Sequence, residues 1–158
     1  MRTLQKITAG ALILTMLISA ASCSLFEKKD SISADDFTKA MEDKDLTVED
    51  ATDQFEDEDA VLKCLLASTD DYQIEFYILR NGDQAMIAYN NGKEGFEESF
   101  SGTGSSHSEV KISNYSKFTM TTGEGYYVLS RIDNTLIYVE ADKEYKDEIK
   151  DLLESIGY

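Results

Sequence analysis

Apolar residues recur at helical spacing in three stretches of the chain, and each stretch predicts a helix. The predicted helices span residues 34–44, 83–100 and 143–156. Ser33 and Asp142 precede the first and the last as N-caps, and Gly157 follows the last as a stop signal. Gly92 and Gly95 weaken the middle prediction, because each glycine costs about 1 kcal/mol relative to alanine. The last helix has the clearest stripe: Tyr145, Ile149, Leu152, Leu153 and Ile156.

Other stretches have the alternation or the short apolar runs that are typical of β-strands. The predicted strands span residues 46–49, 60–67, 72–80, 110–112, 118–120, 126–132 and 135–141. Turn residues at 68–71 and the Asp133-Asn134 pair predict hairpins. Between the strands, the acidic residues 50–59 predict an extended connector, and the Gly/Ser-rich residues 101–109 predict a flexible loop.

This order of elements predicts one globular α+β domain over residues 32–158. Helix, strands, helix, strands, helix is the order expected for a two-layer domain with a mainly antiparallel sheet. Strands followed by a helix occur twice, which leaves open a duplicated strand-strand-helix unit, although the residues show no internal identity that would establish it.

The N-terminus has the pattern of an export signal. Arg2 and Lys6 precede the uncharged residues 7–20, a run shorter than the 20 or so residues that span a bilayer. Small residues and a cysteine follow, as Ala20-Ala21-Ser22-Cys23. This stretch resembles the lipobox of bacterial lipoproteins. The alternatives are an ordinary secretory signal cut near Ala21 and a retained signal anchor.

The resemblance implies that residues 1–22 are a signal peptide and that the Cys23 sulfur receives a diacylglyceryl group. Residues 23–31 then form a short lipidated tether, and the protein is anchored at the extracytoplasmic face of the cell membrane. The order of segments is also similar to that of small uncharacterised lipoproteins of Gram-positive anaerobes, a resemblance that implies no activity. With Cys23 modified, Cys64 is the one free thiol, and its apolar neighbours predict a buried, unreactive side chain.

The charge excludes one class of function. The chain has 15 Lys and Arg against 31 Asp and Glu, a net charge of -16. Loss of residues 1–22 removes two bases and no acid, which takes the net charge to -18. Nucleic-acid binding needs a basic patch and is not expected. Anionic lipid headgroups should repel this surface.

Few residues offer catalytic or metal-binding chemistry. His107 is the only histidine, which excludes a site with several histidines, and its place in a predicted loop argues against a catalytic triad with a neighbouring serine. The acidic connector fails the EF-hand pattern at the glycine and at the final glutamate. A loose cation site is the alternative to a solvated acidic face for Glu49, Asp50, Asp53, Asp57 and Asp59. No cofactor is predicted.

The tyrosines suggest a binding surface. Tyr77, Tyr127 and Tyr138 fall on alternate strand positions that face away from the predicted main core, unless another helix covers that face. We therefore expect a non-enzymatic module that binds an envelope protein, a cell-wall component or a small ligand near the membrane. The alternatives are an envelope hydrolase or accessory enzyme that uses carboxylates and a structural subunit that adds its sheet edge or aromatic face to a larger complex.

Overall fold

A seven-stranded antiparallel sheet forms the centre of the structure. The computed structural model describes residues 28–100 and 104–158. The strands are β1 (Thr47–Asp50), β2 (Val61–Ser68), β3 (Gln73–Leu79), β4 (Ser106–Ile112), β5 (Tyr115–Thr121), β6 (Gly125–Ile132) and β7 (Thr135–Asp142). They pair in the order β1-β2-β3-β7-β6-β5-β4. Two meanders, β1 to β3 and β4 to β7, are thus joined where β3 pairs with β7.

Three α-helices and two short 3₁₀ turns complete the described fold. The helices are α1 (Ala34–Glu42), α2 (Gly82–Ser99) and α3 (Lys146–Ser155), and the 3₁₀ turns are Thr52–Phe55 and Lys143–Tyr145. The predicted α+β class and the antiparallel sheet are confirmed. The connector predicted to be extended contains the first 3₁₀ turn.

Helices cover both faces of the sheet, so the expected two-layer arrangement needs correction. Residues of α1 and α3 share one core with Val128 and Ile137, whereas residues of α2 share a second core with Leu129 and Leu136. Neighbouring residues of a strand point to opposite faces, so β6 and β7 present apolar side chains in both directions. All eight residues of β6 are buried as a result. Each meander ends in a helix, but the two helices lie on opposite faces.

The face covered by α1 and α3 has an aromatic and aliphatic core. Phe37 of α1 stacks on Phe76 of β3, with ring centroids 4.6 Å apart. Ser33 caps α1 as predicted, accepting a hydrogen bond from the Asp36 amide. The stripe of α3 is buried at Ile149, Leu152 and Leu153, as its spacing predicted.

A glycine ends α3 and turns the last residue into this core. Gly157 has a φ of 89°, a left-handed conformation that favours glycine. Its amide donates to the Glu154 carbonyl and the Tyr158 amide donates to the Leu153 carbonyl, the two bonds of a Schellman motif. The Tyr158 ring is buried, and its hydroxyl is hydrogen-bonded to that of Thr135. The stop signal predicted at Gly157 is confirmed.

Two other local predictions were wrong. Strand β4 begins at Ser106, so His107 lies in a strand rather than in a flexible loop, and its ring is 5.9 Å from that of Phe118. The polar sequence of β4 hid the strand, because this edge strand is largely exposed and does not need apolar residues. Asp142 precedes a 3₁₀ turn rather than α3 itself, and its side chain makes no capping hydrogen bond.

A polar cluster connects the edge strand β4 to α2. Glu109 accepts hydrogen bonds from the Tyr89 hydroxyl at 3.0 Å and from the Lys93 ammonium at 2.8 Å, and it forms an ion pair with Lys111. Desolvation raises the pKa of Glu109, but the hydrogen bonds from Lys93, Lys111 and Tyr89 outweigh it and hold the pKa at about 2. This carboxylate therefore stabilises the fold in its charged form.

We predict that removing this charge weakens the fold at neutral pH. Glu109→Gln should lower the free energy of unfolding by about 1 kcal/mol, the usual size for a partly exposed pair. Because the folded pKa lies below the unfolded value of about 4.3, the wild-type advantage should disappear as the pH falls from about 4 toward about 2. Urea unfolding of both proteins across this pH range measures the effect. Glu94→Gln, at an exposed position on α2, is the control, and equal pH profiles for wild type and Glu109→Gln would contradict the prediction.

Candidate functional site

An apolar groove lies between α2 and the sheet. Its volume is about 330 Å³. The floor is formed by Leu79, Leu129 and Leu136 from three neighbouring strands, and one wall by Ile87 and Ala88 of α2. The other wall comes from the chain between β1 and β2 and from two tyrosines: Phe55, Glu58, Ala60, Val61, Tyr77 and Tyr138. The groove thus combines segments that are far apart in the sequence.

The groove is left open because α2 does not extend over the β2 side of the sheet. The helix packs on β6, β7 and β3, and Gly92 lets it approach closely, since a Cβ there would lie 3.1 Å from the Leu129 side chain. On the outer side of the groove, Ile87 remains about half exposed, at 51%. Ile87 therefore adds exposed apolar surface to the edge of the groove, and an apolar concavity is the usual form of a small-molecule site.

Polar groups are few and lie on the groove's walls. Glu58, Gln84 and Asn91 contribute a carboxylate and two amides. The Tyr77 hydroxyl donates to Glu75 at 2.5 Å and the Tyr138 hydroxyl to Glu140 at 3.3 Å. Each tyrosine hydroxyl thus donates its proton to a carboxylate of the protein.

Burial keeps the tyrosine hydroxyls of the groove protonated. Desolvation raises the pKa of Tyr77, and the nearby Glu75 raises it further. Desolvation together with Glu140 raises the pKa of Tyr138 to about 12. Both tyrosines are therefore neutral at physiological pH and act as aromatic surfaces, not as bases.

Cys64 lies next to Tyr77 and is chemically quiet. It is fully buried and is the free cysteine of the described residues. Desolvation raises the pKa of its thiol to about 11. A nucleophilic cysteine needs a lowered pKa, so this environment agrees with the buried, unreactive side chain that the sequence predicted.

The structure separates the three candidate tyrosines. Tyr77 and Tyr138 line the groove, whereas the Tyr127 ring packs against Phe96 and Phe100 at centroid distances of 5.1 and 4.5 Å. Tyr127 also lines a different cavity of about 300 Å³ at the far end of β6 and β7, whose walls include Asp71, Glu124, Glu140 and Asp142. All three tyrosines lie on the face covered by α2, as the alternative in the sequence analysis anticipated.

The acidic candidates for a cation site are spread along one side of the fold. Asp50 ends β1 and forms an ion pair with Lys63; hydrogen bonds from Lys63 and Thr52 lower its pKa to about 2. Asp59 lies 3.5 Å from Arg80. The remaining candidates are exposed or partly exposed, in β1, the 3₁₀ turn and the following loop: Glu49, Asp53 and Asp57. Within residues 28–100 and 104–158, no group of three or more His, Cys, Asp or Glu side chains is arranged to hold a metal ion.

Several groove residues were not among the candidates predicted from the sequence. Phe55 and Glu58 belong to the acidic connector. Ile87 and Ala88 belong to a helix that was predicted from the spacing of other apolar residues. Phe55 was detectable as the one aromatic residue in that acidic segment. Its ring meets Tyr77 edge-on at a centroid distance of 5.7 Å.

The predicted anchor, Cys23, lies outside the described residues. Among the helices that the structure does describe, none is long and apolar enough to cross a membrane. Comparison of the chain with known proteins identifies no relative: no protein-family model, no curated protein and no solved structure matches it.

Proposed function

We propose that this chain is a lipid-anchored extracytoplasmic protein that binds a small amphiphile in the groove between α2 and the sheet. The lipobox-like Ala20-Ala21-Ser22-Cys23 supports the anchor. The open apolar groove carries the proposed binding activity. Its volume of about 330 Å³ lies at the lower end of the roughly 300–1,000 Å³ typical of small-molecule sites, which favours a small ligand over a docked helix.

The charges around the groove select the class of ligand. Glu58 lines it, and Glu56, Asp57 and Asp59 adjoin Glu58 in the sequence. An anionic ligand would meet this charge in addition to the chain's net charge of -16. Aromatic rings and aliphatic side chains make up most of the remaining surface. The ligand that fits is therefore a neutral or cationic molecule with an apolar body.

The hydrolase alternative has less support. A carboxylate pair for acid-base catalysis needs one carboxyl group with a raised pKa. Two carboxyl groups of the described residues, Asp50 and Glu109, have clearly shifted pKa values, and both are lowered by basic partners. Both carboxylates therefore have a structural explanation.

Lipidation of Cys23 has a direct test. Radiolabelled palmitate fed to the expressing bacterium should enter the wild-type protein, and Cys23→Ala should remove the label because no other residue would carry the acyl chains. Gel autoradiography measures this incorporation. Cys64→Ala is the matched control and should keep the label; equal labelling of wild type and Cys23→Ala would contradict the proposed anchor.

Ligand class can be tested with two dyes that share one skeleton. Neutral phenylnaphthylamine should bind saturably, with a rise in fluorescence, whereas its sulfonated analogue, anilinonaphthalene sulfonate, should bind much more weakly because of the acidic rim. Ala88→Leu adds apolar atoms to the groove wall and should weaken binding of the neutral dye about tenfold, since overfilling a packed site typically costs about 1–3 kcal/mol.

A neighbouring position on α2 is the control. Asn90 is exposed and does not line the groove. Asn90→Leu introduces the same side chain and should leave the affinity for phenylnaphthylamine unchanged. Tighter binding of the sulfonated dye would contradict the proposed ligand class, and equal affinities of Ala88→Leu and wild type for phenylnaphthylamine would show that the groove is not the site.

A further inference from the structure

Lys29 is held against the folded domain only six residues after the predicted lipidation site. Its backbone amide donates to the Asn114 side-chain oxygen at 3.0 Å, and the Asn114 side-chain amide donates to the Lys29 carbonyl at 2.7 Å. Its ammonium donates to the Gly157 carbonyl at 2.9 Å and lies 3.9 Å from the centroid of the Tyr115 ring. We call these four contacts the Lys29 clamp.

The clamp combines three features of the fold. Asn114 lies in the two-residue turn between β4 and β5, Tyr115 begins β5, and Gly157 belongs to the motif that ends α3. The Asn114 carbonyl also accepts a hydrogen bond from Asp133 in the turn between β6 and β7. The clamp therefore holds the start of the domain at one end of the sheet, called here the clamp end.

Only six residue steps separate Cys23 from the clamp at Lys29. Residues 23–31 were expected to form the tether, but the clamp holds Lys29 on the domain, so the tether ends at Lys29. From Cys23 to Lys29 the chain can span at most about 21 Å, compared with about 28 Å for the eight residues from Ser24 to Ser31. A tether this short is comparable with the length of one strand of the sheet.

Acidic residues lie at both ends of the sheet, but the β4–β5 turn at the clamp end has none. The turns at the opposite end and the segment after β7 carry Asp70, Asp71, Glu124, Asp142 and Glu144, together with the bases Lys143 and Lys146. At the clamp end, the β4–β5 turn is Ser113-Asn114, and the β6–β7 turn pairs Asp133 with a neighbouring Arg131. The acidic residues 56–59 also lie at the clamp end, but on the β2 side of the sheet, four strand positions from the clamp strand β5.

We propose that the Lys29 clamp fixes the orientation of the domain at the membrane, with the β4–β5 corner of the clamp end facing the lipid headgroups. The proposal rests on the lipid anchor at Cys23. An anchored chain of about 21 Å cannot reach around the domain, so the clamp end stays nearest the bilayer. The β4–β5 turn carries no acidic side chain, so this corner is compatible with a place next to anionic headgroups.

Energy transfer from tryptophan to a labelled lipid can measure this orientation. The chain contains no tryptophan, so one introduced residue is the only such donor. Asp83→Trp places it near the clamp end, where Gly82 adjoins Asp133, and Asp70→Trp places it in the β2–β3 turn at the opposite end. Both positions are exposed and both variants lose one acid. The ends of β3 that separate them are about 20 Å apart.

The lipidated variants are reconstituted into vesicles of phosphatidylcholine, phosphatidylglycerol and dansyl-phosphatidylethanolamine. We expect transfer from Asp83→Trp to be several-fold more efficient than transfer from Asp70→Trp. Adding Lys29→Ala and Asn114→Ala to each should bring the two efficiencies close together, because the chain then has a longer free tether. Lys28→Ala removes the same charge one residue earlier, without a clamp contact among the described residues, and should leave the difference intact.

The outcomes separate the orientation from the anchor. Equal transfer from both ends in the clamped protein, or a difference that survives loss of the clamp, overturns the orientation. A protein that does not stay with the vesicles contradicts the native anchor instead. For that case, a maleimide phospholipid coupled to Cys23 restores attachment, since the buried Cys64 thiol has its pKa raised to about 11 and reacts poorly. The same comparison of transfer efficiencies then tests the orientation alone.

Discussion

The fold depends on burying both faces of the sheet at its centre. Strand β6 is buried along its whole length, and its apolar residues divide between two cores, with Val128 in one and Leu129 in the other. At roughly 25 cal/mol per Å² of apolar surface, leaving either face in water would cost several kcal/mol for this strand alone. Helices on both faces are therefore required, and α2 on one face and α1 with α3 on the other meet that requirement. The groove exists because α2 alone does not cover its face out to β2.

The sequence predicted most of the elements and missed how they are layered. Periodicity identified all three helices, and turn residues such as Asp133-Asn134 identified the hairpins, because those signals are local. Strand β6 was also predicted, over residues 126–132, but the prediction of two layers did not take its two apolar faces into account. Strand β4 was mostly missed, since an exposed edge strand carries no apolar alternation. The layers depend on which strands pair across the chain, and β3 with β7 is a pairing over about 60 residues that no local pattern encodes.

The candidate site was predicted only in part, because it also depends on which strands pair and where the helices pack. Tyr77 and Tyr138 were chosen from their strand parity, and they line the groove because β3 and β7 are neighbours. Tyr127 has the same parity but lies on β6, where it is covered by Phe96 of α2 and by Phe100, the residue that follows α2. Phe55 stood out only as the one aromatic residue of the acidic connector, and Ile87 had no such signal, since the role of both follows from the gap between α2 and the connector. Parity determines which face a residue occupies, and only the packing of helices determines whether that face is open.

The two proposals together restrict how a ligand reaches the groove. Ala60, Val61, Leu79 and Leu136 lie at the ends of β2, β3 and β7 that belong to the clamp end, so part of the groove lining lies at the end proposed to face the bilayer. From the clamp strand β5 to β3 there are three strand spacings, or about 15 Å across the sheet. An amphiphile that partitions into the membrane is concentrated on the side of the domain where the anchor holds it, whereas a purely aqueous solute gains nothing from the short tether. The apolar lining favours an amphiphile by its chemistry, and the anchor together with the clamp favours the same class of ligand by holding the domain close to the membrane.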